Sequence, residues 1–243
     1  MRTIILLLAM ASWVLLPGQT NHPQLEISRL TGDCYVYTTY NDPGNGSLFP
    51  SNSMYIVTTD GVVLIDTPWD TTQFQPLLDS IAARHHKKVI MCISTHFHAD
   101  RTAGLEYYRQ QGIKTYTSRR TDEFSIIKNE KRSEFIMDQD TTFRIGQYTF
   151  QTYYPGQGHS PDNIVVWLPK EKVLYGGCFV KSTEASGLGN LGDANPAEWV
   201  KSVKRVERKF RKPKFIIPGH QSWASRKSLE YTLELLNKHL YSK

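Results

Sequence analysis

Three polar side chains follow directly after a buried strand in this sequence, and they limit the folds that the chain can adopt. Residues 88–94 are largely apolar, which predicts a strand covered on both faces. His96, His98 and Asp100 follow that strand at intervals of two residues. A lone histidine is more often structural, but these three side chains can converge on one or two metal ions. The fold must therefore bring further ligands to this strand end.

Candidates for those further ligands lie later in the chain. His159 stands in a Gly-Gln-Gly-His turn, Cys178 follows two glycines after the strand 173–175, and His220 closes a Pro-Gly-His segment. Nitrogen, oxygen and sulfur donors together suit zinc better than magnesium or calcium. Three histidines with an open position make a catalytic tetrahedral site, and aspartate, cysteine and histidine make a second, softer one.

The remaining sequence alternates strand and helix patterns. Further strands are predicted at 34–39, 54–59, 62–66, 147–153, 163–168 and 215–217, and helices at 72–86, 102–111, around 199–210 and at 223–240. There is no close repeat and no long linker between the two stretches of elements. The simplest packing is an α/β four-layer αβ/βα sandwich, with two central mixed sheets and helices outside.

The first twenty residues have the pattern of a secretory signal peptide. Arg2 precedes the uncharged run 4–16, which is too short to span a membrane, and Pro17 and Gly18 end it. The alternative, a buried N-terminal helix, lacks an amphipathic pattern. We expect residues 1–20 to be removed, with the cleavage site placed only approximately. Residues 21–243 would then form a single catalytic domain in the periplasm.

Composition excludes several other classes of protein. Hydrophobic residues make up 40% and charged residues 21%, which excludes a disordered or collagen-like chain. The sequence contains no apolar run long enough for stable membrane insertion. The expected export argues against nucleic acid as a partner. Three cysteines cannot build a disulfide scaffold. Cys34 and Cys92 are expected in the core, and their pairing stays open. Nothing in the sequence indicates a large apolar interface, so we expect a monomer.

In chain order, these motifs resemble the metallo-β-lactamase family. The segments that carry the resemblance are His-x-His-x-Asp-Arg at 96–101, Gly-His at 158–159, Gly-Gly-Cys at 176–178 and Pro-Gly-His at 218–220. Arg101 with Cys178 resembles the dizinc B1 subclass, because most other hydrolases of the superfamily carry histidine and aspartate at these positions. The resemblance implies an αβ/βα sandwich and an enzyme that hydrolyses β-lactam antibiotics by a metal-bound hydroxide, conferring resistance.

The resemblance also implies a role for each site residue. Two zinc ions per chain would be held, the first by His96, His98 and His159 and the second by Asp100, Cys178 and His220. Asp100 would also orient the nucleophile. Lys181 would bind the substrate carboxylate, with a solvated lysine as the alternative. Asn190 would stand beside the lactam carbonyl and stabilise the oxyanion, with a simple turn residue as the alternative.

Three other segments complete the expected site. The loop 42–52 resembles the hairpin that covers substrate in this family, and Leu48 and Phe49 near its tip could supply an apolar contact. Arg101 and Asp66 are interpreted as residues that hold ligands in place. For Asp66, a turn carboxylate that caps backbone N–H groups is an equal alternative. The basic run 201–214 is interpreted as the solvated face of a helix.

Two other functions are alternatives to β-lactam hydrolysis. A hydrolase of the same superfamily acting on a thioester or phosphodiester would be favoured by histidine at position 101 or aspartate at 178, and neither is present. An exported binding protein with structural zinc would need a closed four-coordinate site, whereas six donors of mixed type indicate two open ones.

Overall fold

The computed structural model describes residues 25–241 apart from Pro43 and Asn45, so the signal peptide predicted at 1–20 lies outside the described residues. The strands are β1 (Leu25–Thr31), β2 (Cys34–Asn41), β3 (Phe49–Val57), β4 (Val62–Ile65), β5 (Val89–Ile93), β6 (Lys114–Ser118), β7 (Phe135–Met137), β8 (Thr142–Ile145), β9 (Tyr148–Tyr153), β10 (Val165–Leu168), β11 (Val173–Gly177) and β12 (Phe215–Pro218). The helices are α1 (Phe74–His85), α2 (Ala99–Thr102), α3 (Leu105–Gln110), α4 (Arg119–Lys128), α5 (Pro196–Lys209) and α6 (Ser228–Tyr241). None of these helices is long and apolar enough to cross a membrane.

The strands form two mixed sheets. The first sheet runs β1-β2-β3-β4-β5-β6-β7 in sequence order, antiparallel from β1 to β4 and parallel from β4 to β7. The second has the order β12-β11-β10-β9-β8, in which only β11 and β12 are parallel. Each sheet contains neighbouring parallel strands, and the chain between parallel strands crosses the sheet in a connection that includes a helix. Helices therefore cover the outer face of each sheet.

The core follows from the alternation of side chains along each strand. On β3, Met54 and Ile56 face the second sheet, whereas Tyr55 between them faces the outer helices. On β10, Val166 faces the first sheet and Val165 faces outward. Successive side chains of a strand point to opposite faces, so each sheet has two buried faces and the molecule has four layers. The predicted αβ/βα sandwich is confirmed.

The outer layers are amphipathic helices. On the first sheet, α1 and α3 bury Phe74, Leu77 and Tyr108. On the second, α5 and α6 bury an apolar stripe that includes Trp199 and Leu236. The lysines and arginines of 201–214 that lie on α5 face outward, as predicted, and most are exposed.

Two helix boundaries differ from the prediction. The helix predicted at 102–111 is divided into α2 and α3 around Gly104, whose backbone packs so closely on Thr67 that a Cβ there would lie 3.0 Å from the Thr67 Cβ. The last helix begins at Ser228 rather than 223, because residues before it form a turn held by hydroxyl groups such as that of Ser225.

Candidate metal centre

All six predicted ligands lie at one edge of the sandwich. His96, His98 and Asp100 follow β5 of the first sheet, whereas His159, Cys178 and His220 follow β9, β11 and β12 of the second. The strands end at this edge, and the chain continues in short loops or a helix start that can hold a side chain rigidly. Each sheet therefore contributes three of the six side chains.

Three histidines form the first ligand set. His96 Nε2 lies 3.1 Å from His98 Nδ1, which lies 3.2 Å from His159 Nε2. Tetrahedral zinc with Zn–N bonds of about 2.0–2.1 Å places two nitrogen ligands about 3.3 Å apart, close to these separations. Burial lowers the pKa of His96 and of His159 well below the usual value, so both rings are neutral and can offer a lone pair. The donor set fits zinc.

Asp193, which lies next to the Nε2 nitrogen of His98, fixes the tautomer of this histidine. His98 Nε2–H donates to Asp193 Oδ2 at 3.1 Å, which leaves the Nδ1 lone pair directed at the other two histidines. Lys128 Nζ donates to Asp193 Oδ1 at 2.8 Å, and this hydrogen bond is the largest of the effects that lower the pKa of Asp193. A carboxylate behind a metal-binding imidazole orients the ring and raises its basicity.

The second ligand set is equally compact. Cys178 Sγ lies 3.2 Å from Asp100 Oδ2 and 3.2 Å from His220 Nε2, and these two atoms are 3.3 Å apart. His220 Nδ1–H donates to the Pro50 carbonyl at 2.8 Å, so Nε2 carries the lone pair that faces the set. His96 Nε2 is 3.9 Å from Asp100 Oδ1, which joins the two sets. One thiol, one carboxylate and one imidazole again fit zinc.

Arg101 dominates the electrostatics of the second set. Its side chain is fully buried, and Nη2 lies 3.0 Å from both Asp100 Oδ2 and Cys178 Sγ. Burial opposes ionisation of Asp100, but Arg101 and the neighbouring histidines outweigh it and hold the pKa of this carboxyl well below its usual range. Burial raises the pKa of the Cys178 thiol to about 12, because the lowering effect of Arg101 is smaller.

Asp66 combines the two roles that the sequence left open. It caps the Thr95 backbone N–H at 2.7 Å, directly before the first ligand, and accepts from the Tyr175 hydroxyl at 2.6 Å. Its Oδ2 also lies 3.6 Å from Arg101 Nη1. Burial raises the pKa of Asp66 to about 6 despite these favourable partners. The carboxylate therefore fixes both the strand end and the guanidinium.

Asn52 is a supporting residue that the sequence did not reveal. Its side-chain amide donates to the carbonyls of Pro218 (3.1 Å) and Gln221 (2.7 Å), which flank His220. Its own carbonyl accepts from Arg101 Nη1 at 2.7 Å. No sequence pattern signals this role, because Asn52 is more than 160 residues from Pro218 and Gln221 along the chain.

A cleft of about 730 Å³ opens above both ligand sets. The residues that line it include His98, Asp100, His159 and His220, the predicted Lys181 and Asn190, and also Phe49, Trp69, Phe97, Lys128, Glu130 and Asp193. This size suits a drug-sized molecule. The Phe49 ring, near the tip of the predicted covering loop, lies 5.0 Å from the His220 ring.

Lys181 and Asn190 occupy different surroundings on the cleft wall. Lys181 is only 8% exposed, its ammonium lies 5.3 Å from the centre of the Trp199 ring, and it makes no ion pair in the described part of the chain. The burial of this side chain argues against the solvated-lysine alternative. Asn190 is exposed, and its Oδ1 accepts from the Gly192 N–H at 2.8 Å. This turn hydrogen bond uses only Oδ1 of Asn190 and does not involve the side-chain N–H groups.

Comparison with known proteins agrees with this geometry. The metallo-β-lactamase superfamily model matches residues 46–220. Metallo-β-lactamase type 2 of Elizabethkingia meningoseptica is 42% identical over 217 residues, covering 89% of this chain and 87% of the relative. Metallo-β-lactamase IND-1 of Chryseobacterium indologenes is 41% identical over 209 residues, which cover 86% of this chain and 87% of that relative. The crystal structure of metallo-β-lactamase IND-7 superposes with a TM-score of 0.86 at 40% identity, covering 90% of this chain and all of that one.

A four-layer sandwich with six nitrogen, oxygen and sulfur donors at one edge defines a metal-dependent hydrolase of the metallo-β-lactamase fold. The chain belongs to the metallo-β-lactamase superfamily, and its relatives place it in subclass B1, as the Arg101 and Cys178 motifs predicted. Cys34, Cys92 and Cys178 are free thiols, which resolves the pairing that the sequence left open.

Proposed function

We propose that this protein is an exported, zinc-dependent β-lactamase that opens the β-lactam ring of penicillins, cephalosporins and carbapenems and so confers resistance. The observation that carries the proposal is two compact sets of ligand atoms beneath one cleft, with the unpaired ammonium of Lys181 on the cleft wall. The protein acts as a monomer in the periplasm after removal of residues 1–20.

Each ligand set holds one zinc ion in this proposal. His96, His98 and His159 hold the first, and Asp100, Cys178 and His220 hold the second. Zinc is a Lewis acid that polarises a carbonyl and lets water ionise near neutral pH. Burial lowers the pKa of His96 and of His159, and Arg101 helps to hold the pKa of Asp100 low; both effects support this assignment, because zinc requires unprotonated ligands.

The side chains around the ligands orient and bind the substrate. Lys181 binds the carboxylate next to the lactam nitrogen, since its ammonium has no acidic partner among the described residues. The Asn190 amide N–H donates to the lactam carbonyl oxygen as negative charge develops there. Asp100 Oδ1, the oxygen turned away from Arg101, accepts a hydrogen bond from the attacking water and orients it. Water adds to the carbonyl carbon, the C–N bond breaks, and the nitrogen takes a proton.

Turnover of a chromogenic cephalosporin tests the proposal. Purified mature protein is assayed after dialysis against a chelator and after return of zinc or, as a matched control, magnesium. We expect activity that is lost with the chelator and restored by zinc alone. Binding without turnover would support the zinc-binding-protein alternative. Turnover of a thioester or phosphodiester in place of the cephalosporin would support the other hydrolase.

A further inference from the structure

We propose that Lys128 is a positioning residue for the three-histidine site and acts on it through Asp193. The inference rests on the proposed function only in taking these histidines as a metal site. Lys128 contacts none of the three imidazoles in the described structure. Its effect would be to hold the carboxylate that orients His98.

The two oxygens of Asp193 are divided between two donors. Oδ2 accepts from His98 Nε2–H at 3.1 Å, and Oδ1 accepts from Lys128 Nζ at 2.8 Å. The Asp193 side chain is 24% exposed, so water can compete for either oxygen. A carboxylate with one free oxygen can rotate and exchange its imidazole partner for water. The ammonium on Oδ1 removes this freedom and keeps Oδ2 on His98.

Lys128 is itself held in place from two directions. It is the last residue of α4, where a positive charge interacts favourably with the helix dipole. Its ammonium also lies 6.0 Å from the centre of the Phe97 ring, on the residue between the two ligands His96 and His98. Lys128 thus ties α4 to the strand-end loop and to the loop that carries Asp193.

The chain offers a closely matched control. Lys131 makes a similar pair with Glu106 at 2.8 Å, and its side chain is 50% exposed compared with 44% for Lys128. Lys128→Met and Lys131→Met therefore remove the same charge from neighbouring positions, and only the first removes a contact with Asp193. General effects of losing a surface charge and its ion pair should appear in both variants.

The test measures the zinc dissociation constant of the three-histidine site by competition with a chromophoric chelator, in a Cys178→Ser background that leaves only this site. Loss of a residue that orients a ligand typically weakens metal binding about 10–100-fold, and we expect this for Asp193→Asn. Lys128→Met, one step further away, should weaken binding about 3–10-fold, and Lys128→Arg should restore most of it. The double variant Lys128→Met/Asp193→Asn should bind no more weakly than Asp193→Asn alone. Lys131→Met should stay within about twofold of the parent.

A second readout follows the His98 ring directly. In zinc-loaded protein with ¹⁵N-labelled histidine, exchange of the His98 Nε2–H proton with water should be faster in Lys128→Met than in Lys131→Met. Equal zinc affinities in the two lysine variants would overturn the proposal, as would additive losses in the double variant. A normal zinc affinity with a raised KM in Lys128→Met would mean that Lys128 binds substrate instead. Failure of the parent protein to bind zinc would contradict the proposed function itself, and this result is distinguishable because it precedes any lysine substitution.

Discussion

The Cys178 thiol keeps its proton until a metal replaces it. Burial raises the pKa of this thiol to about 12, so zinc binding at pH 7.0–8.5 must release one proton from Cys178. Burial lowers the pKa of His96 and His159, so those two rings have no proton to release in this range. We predict that zinc affinity of the second site rises by up to about tenfold per pH unit, whereas affinity of the first site changes little.

Chelator competition at pH 7.0 and pH 8.5 measures both affinities. Cys178→Ser supplies the reference, because only the first site should remain in it and its zinc content should fall from two ions to one. Cys92→Ala is the matched control, since Cys92 is also a buried free thiol but lies outside the ligand set. Parallel pH slopes for the two sites, or two zinc ions in dialysed Cys178→Ser, would contradict the assignment.

The buried ammonium of Lys181 should contribute to substrate binding. Because this buried ammonium has no acidic partner in the part of the chain that the structure describes, a substrate carboxylate would form a largely desolvated ion pair with it. We expect Lys181→Ala to cost about 2–3 kcal/mol, a factor of about 30–150 in kcat/KM that falls mostly on KM. Exposed Lys201, which pairs with Glu198, is the control whose alanine variant should retain wild-type kinetics. Wild-type KM for a carbapenem in Lys181→Ala would exclude the carboxylate contact.

Among the helices, α5 connects the core of the second sheet to the site. Asn195 caps its first turn, and Trp199 is fully buried, donates to the Phe179 carbonyl at 2.9 Å and packs 5.9 Å from the His159 ring. We predict that Trp199→Ala lowers the free energy of unfolding by about 3–5 kcal/mol. Trp199→Phe keeps a ring but leaves the carbonyl without its donor, which costs about 1–3 kcal/mol. Urea denaturation measures both, and a Trp199→Phe variant as stable as the parent protein would show that the hydrogen bond contributes nothing.

Elements with an apolar repeat could be predicted from the sequence, and elements without one could not. The stripe of Trp199 and Val203 predicted α5, and the apolar run of β5 predicted a strand. By contrast, α4 buries Thr121, Asp122 and Ser125, so its buried face has no apolar period. Strand β6 similarly buries threonines, and β1, β7 and β8 are short or largely exposed edge-side strands.

The same distinction holds within the site. That the six proposed ligand residues meet at one edge could be predicted, because their spacing after strands and their glycine neighbours are local properties of the sequence. Asn52, Asp193 and Lys128 could not, because their partners are distant along the chain and are chosen by the packing of the loops. Lys128 in particular lies on α4, the helix that the sequence did not predict.

Each proposed metal site joins the two sheets of the molecule. The three-histidine set takes two ligands from the first sheet and His159 from the second, and the other set takes Asp100 from the first and two from the second. Arg101 also links the two halves through protein contacts alone, since it contacts Asn52 of β3 and the Gly219 carbonyl after β12. Zinc at the proposed sites should add to the stability that these contacts supply.

We predict that zinc raises the unfolding temperature of the protein by a large amount that depends on the zinc concentration. Free zinc at 1,000 times the dissociation constant of one site adds about 4 kcal/mol to the folded state. For a domain of this size that corresponds to a rise of at least about 8 °C in Tm. Calorimetry with and without chelator measures the shift. In His159→Ala/Cys178→Ser, which loses a second-sheet donor from each set, zinc should leave Tm nearly unchanged. A shift of the same size in that variant would mean that zinc stabilises the protein elsewhere, and an unshifted wild type would mean that the two sheets are not joined by metal.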